Sequence, residues 1–115
     1  MKFLITLYVN PDTDAAWAGA ESGALQKAHD DVQAELRASG ELVDSDELDT
    51  EAARVVRVED GRPIVTDGPF TEAREIAGGY YVVDCVDLDR ATAIASRFEE
   101  ARFGPVEVRR LVHAS

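Results

Sequence analysis

The run Phe3-Leu4-Ile5-Thr6-Leu7-Tyr8-Val9 constrains the fold of this chain most strongly, because both of its alternating sets are largely apolar. Side chains on a strand point to opposite faces with a period of two. Phe3, Ile5, Leu7 and Val9 therefore share one face and Leu4, Thr6 and Tyr8 the other, and both faces need cover. The pattern predicts a central strand.

The segments that follow supply its neighbours. Asn10 to Gly23 reads as a linker rich in Asp, Ala and Gly around Trp17, and a helix follows from about Ala24 to Ser39. Leu25, Ala28, Val32 and Leu36 form its apolar stripe, and Gly40 is placed to cap it in the left-handed conformation. Leu42 to Leu48 carries many carboxylates and reads as a short edge strand. Ala53 to Glu59 and Ile64 to Thr66 flank Asp60-Gly61, a dipeptide suited to a tight hairpin turn. Tyr80 to Val86 is a strand of aromatic and β-branched residues. Asp87 or Asp89 then caps a second helix that runs to about Ala101 and buries Ala91, Ile94, Ala95 and Phe98. Gly104-Pro105 stops it, and Val106 to Val112 alternates as a last strand.

Two helices split among four or five strands predict an α+β sandwich of ferredoxin-like type, an antiparallel sheet with both helices on one face. At 115 residues and 45% hydrophobic, the chain is expected to form a single domain, 1–115, around one core. The sheet face without helices is expected to be covered by a second copy, which makes a homodimer the expected state.

Composition narrows the partners. The formal charge of -11, from 23 acidic and 12 basic side chains, repels phosphate backbones and argues against nucleic-acid binding. No run reaches the length of 18 or more apolar residues that a membrane span needs, and Met1 to Val9 is too short and too alternating for a signal peptide. A cytoplasmic protein is expected. Cys85 is the single cysteine, so no intramolecular disulfide can form and structural zinc has no support. No Gly-x-Gly-x-x-Gly, phosphate-loop or His-x-x-x-His spacing is present, so neither a cofactor nor a metal is expected.

The segment Val65 to Tyr81, with Asp67-Gly68-Pro69-Phe70, then Glu72, Arg74 and Glu75, then Gly78-Gly79-Tyr80-Tyr81, resembles the DGPF branch of the YCII-related proteins. These are small bacterial domains whose members mostly lack an assigned reaction. The resemblance covers nearly the whole chain. It implies a ferredoxin-like fold, face-to-face dimers similar to the dimeric α+β barrels, and acid–base chemistry of the isomerase or lyase kind on a small aromatic or enol-forming molecule. It also implies a His in the first helix, matched here by His29. In the wider family that His pairs with an Asp near the end of the second helix, where this chain has Glu99-Glu100-Ala101-Arg102-Phe103. The Asp is missing, so either Asp67 replaces it or His29 works without a carboxylate.

His29 lies four residues after Leu25 and three before Val32, which puts an ionisable ring on the buried stripe of the first helix. Two readings stand: a structural histidine bonded to a backbone or carboxylate oxygen, or a general acid or base at the rim of a cleft. Asp67 serves as a turn residue or as the carboxylate that orients His29. Arg74 is the candidate clamp for an anionic substrate group, against a surface ion pair with its acidic neighbours. Tyr80 and Tyr81 point to opposite faces of their strand, and Tyr80 is taken as the one that meets substrate. Cys85 reads as a small apolar core residue, and His113 as part of a loose terminus. Gly78 and Gly79 permit close approach of backbone to a neighbour or a ligand. The competing functional class is a noncatalytic dimer that binds a ligand or a protein in a regulatory unit, such as one with a sigma factor, and the acidic surface suits a basic partner.

Overall fold

The computed structural model describes residues 1–70 and 75–114. The first strand, β1 (Lys2–Val9), pairs antiparallel on one side with β5 (Ile76–Asp84) and on the other with β6 (Val106–Arg110). β5 also pairs with β2 (Leu42–Glu47), so the sheet runs β2-β5-β1-β6. β1 is central, as its two apolar faces require. Phe3, Ile5 and Leu7 are buried and, with Tyr81 and Val83 of β5, form the sheet side of the core.

The described residues contain three α-helices, one more than the sequence pattern predicts, and the architecture is α+β and ferredoxin-like. α2 (Ser22–Ser39) buries Leu25, Val32 and Leu36 and ends at Gly40 in the left-handed conformation. α3 (Leu88–Ala95) is capped by the Asp87 side chain and buries Ala91, Ile94 and Ala95. It stops earlier than expected. Phe98 is extended at φ -75 and ψ 126, and a 3-10 helix (Glu99–Arg102) takes up the chain beyond it. Arg90 of α3 donates two hydrogen bonds to the Glu41 carboxylate at 3.0 and 2.8 Å, tying α3 to the end of α2. Those bonds hold the Glu41 carboxyl below its usual range.

The segment read as a linker instead contains α1 (Pro11–Ala18). Asn10 caps it by accepting from the Asp12 and Thr13 amides, while the Thr13 hydroxyl accepts from the Asn10 amide. Pro11 fits the first helical position because an amide there has no intrahelical partner. Asn-Pro-x-Thr is thus a helix start that composition alone conceals.

β3 (Arg54–Glu59) and β4 (Arg62–Asp67) form a separate two-stranded ribbon inserted between β2 and β5. Its turn is the expected one, with Asp60 at φ 50 and Gly61 at φ 75. Val56, Val58 and Val65 are exposed on the ribbon. The extents of the chain are 49 × 40 × 19 Å, and the short dimension holds one helix layer and one sheet. Among the described residues, the other sheet face carries no helix.

Candidate active site

α2 aims His29 at the sheet, where β5 brings Tyr81 up from below. His29 Nδ1 lies 2.7 Å from the Tyr81 hydroxyl, and its Nε2 meets the Glu100 carboxylate at Oε2. Gln33, one turn further along α2, donates to the same Tyr81 oxygen at 2.9 Å. Arg37 donates in turn to Gln33 Oε1 at 3.2 Å, which fixes the orientation of the Gln33 amide.

One histidine tautomer satisfies these bonds together. Burial pushes the Tyr81 phenol above its usual pKa, against the opposing influence of hydrogen bonds from Gln33 and Ser45, so it keeps its proton at neutral pH. The Tyr81 oxygen already accepts from Gln33, and its own O–H then points to His29 Nδ1. With Nδ1 as the acceptor, the ring proton is assigned to Nε2 and is donated to Glu100. The chain of donors runs from Gln33 through Tyr81 and His29 to Glu100.

Aromatic packing holds the ring in place. The His29 ring lies 4.8 Å from that of Phe98 and 6.1 Å from that of Trp17, which is stacked on it. The side chain nevertheless keeps 15% of its surface exposed. It forms part of the wall of a cleft of about 620 Å³ bounded by α1, α2 and the adjoining ends of β1, β2 and β5. Gly78 belongs to the same wall, and a Cβ there would overlap the Val9 side chain. Glycine is needed at that point for close packing.

Glu100 supplies the carboxylate that the sequence reading assigned to Asp67 or left out. The break at Phe98 turns the 3-10 helix so that Glu100 is 5% exposed, and it lines the cleft beside His29. Its Oε1 is buried without a hydrogen-bond partner among the described residues. Asp67 stands at the end of β4, its side chain 91% exposed and 3.4 Å from Arg54, and it does not line the cleft. Its place in the ribbon follows from pairing with Arg54 across the two strands.

Tyr80 faces the helix-free side of the sheet and donates to Asp44 at 2.7 Å, although it also reaches the cleft rim. That bond raises its pKa. The tyrosine in contact with His29 is therefore Tyr81, the inward member of the pair. Arg74 lies outside the described residues. Cys85 is buried, and burial pushes its thiol pKa up, which suits the core role expected of it. Among the described residues, no group of three or more His, Cys, Asp and Glu side chains is arranged to hold a metal ion.

The YCII-related domain matches residues 1–115, the full length of the chain. The chain belongs to the YCII-related family. An uncharacterized protein of Rhizobium meliloti (strain 1021) is 32% identical to it over 114 residues, covering 96% of this chain and 92% of that protein. His29 lies on α2 of this domain, and the carboxylate that meets it is Glu100 of the 3-10 helix.

Proposed function

We propose that this chain is a small acid–base catalyst in which His29 transfers a proton to or from a compact aromatic or enol-forming molecule held in the cleft. The observation that carries this reading is the His29 ring itself, bonded at both nitrogens and still open to a cleft. A purely structural histidine gains nothing from that opening. Glu100 holds the ring tautomer and balances the imidazolium when it forms, and Tyr81 backs the second nitrogen. With the ring proton on Nε2, the basic nitrogen is Nδ1, so a substrate proton passes to the Tyr81 oxygen as the Tyr81 hydroxyl proton moves to Nδ1, and the reverse transfer returns it. Gln33 and the stacked Trp17 ring limit movement of the imidazole, so that its approach to a bound molecule is set in advance.

The chain is further proposed to act as a homodimer through the helix-free sheet face. Leu4, Thr6, Tyr8 and Val82 line a shallow hollow on that face, and a second copy would give β1 the cover its outer set needs.

Hydrogen–deuterium exchange at carbon tests the catalytic reading without a known substrate. A panel of small phenols and ketones in heavy water is followed by proton NMR with the wild-type chain and with His29→Gln. Faster exchange in at least one compound, slowed about 100-fold or more in the variant, is the expected result. No enhanced exchange across the panel, or equal rates in the two proteins, would falsify it.

A further inference from the structure

We propose that the cleft takes a planar molecule bearing a protonated amine, and that it disfavours carboxylic acids. The inference rests on the cleft being the working site proposed above and names its ligand class. Two independent features support it. The first is charge: Asp14, Asp46 and Glu47 line the cleft, and among its described lining residues there is no Lys or Arg. Their fields add in a concave site walled by protein, and the whole chain reinforces them with its formal charge of -11.

The second feature lies at the inner wall. Glu100 is 5% exposed, and its Oε1 has no hydrogen-bond partner among the described residues. A buried acceptor left without a donor costs free energy, and because Glu100 lines the cleft, a small turn of its carboxylate toward the opening would let a ligand N–H restore the missing bond. A carboxylate ligand offers no proton there and adds like-charge repulsion. The Trp17 ring, stacked over His29, supplies a face on which a planar cation gains a further attraction. Gln26, Gln33 and Ser45 complete the lining with neutral polar groups.

The chain's single tryptophan makes the test direct. Trp17 emission is titrated with benzylamine, benzyl alcohol and benzoate, which share a ring and differ in charge. Benzylamine is expected to give a saturable change at a Kd about tenfold or more below that of benzoate, with benzyl alcohol between them and the gap closing as salt rises. The double variant Asp46→Asn with Glu47→Gln, checked for folding by circular dichroism, is expected to lose most of the preference. Benzoate binding as tightly as benzylamine, no saturable response to benzylamine, or full preference in the double variant overturns the proposal. None of those outcomes touches the proton-exchange reading, which deuterium incorporation decides separately.

Discussion

At the residue scale, the account depends on how four side chains share their protons. Glu100 is almost fully buried, and His29 is its hydrogen-bonding partner. Truncating His29 to Ala leaves that carboxylate buried and unpaired, so the variant should lose about 3 kcal/mol in urea unfolding. His29→Gln keeps an N–H donor and should lose much less, and equal losses would show that Glu100 does not depend on the ring. Tyr81 adds a pH signature. Its folded pKa lies above the usual 10.0 because of burial, so its contribution to stability is complete below pH 10 and declines as the pH rises further. Alkaline unfolding should therefore be shallower in Tyr81→Phe, and an identical pH profile would contradict the buried phenol. His29 was legible in the sequence because an ionisable residue on an apolar stripe stands out. Glu100 was not, since it lies among Glu99, Ala101 and Arg102 and only the backbone break at Phe98 turns it inward.

At the scale of elements, α1 is the piece that pattern reading missed and the one that carries Trp17 and Asp14 to the cleft. Its short, weakly amphipathic sequence gives little periodic signal, whereas its Asn10-Pro11 start is explicit. Asn10 also donates to Glu75 Oε2 and to the Phe103 carbonyl, each at 3.0 Å, so one side chain joins the helix start to two other segments. Asn10→Ala should cost about 1–2 kcal/mol. It should also shift Trp17 emission to the red as α1 loosens, and a variant with unchanged stability and emission would show that the cap is dispensable. The central strand, the hairpin turn at Asp60-Gly61 and the cap of α2 at Gly40 were all readable, because each rests on local chemistry. The length of α3 was not, because packing of Phe98 overrides helix propensity there.

At the scale of the whole molecule, the Cα radius of gyration is 15.9 Å, against about 13 Å for a compact chain of this length. The β3–β4 ribbon is a separate two-stranded element with exposed valines, which extends the chain without adding to the core. Such ribbons have little stability of their own in water. The homodimer proposed above would be disrupted by a charge at the centre of the helix-free face. Val82→Asp should give a monomer in sedimentation equilibrium while retaining the circular dichroism of the fold. A variant that remains dimeric would place the interface elsewhere, the ribbon being the next surface to alter. Sequence pattern predicted an uncovered face because Leu4, Thr6 and Tyr8 oppose the core set, but no residue pattern specifies what covers it.

The most direct test of the central claim is a long-range proton–nitrogen NMR spectrum of the His29 ring at neutral pH. The contacts with Tyr81 and Glu100 suit a ring proton on Nε2 donated to Glu100, and a bound ligand should move both nitrogen shifts. A proton on Nδ1, or ring nitrogens indifferent to every ligand that quenches Trp17, would contradict a proton-transfer site in this cleft.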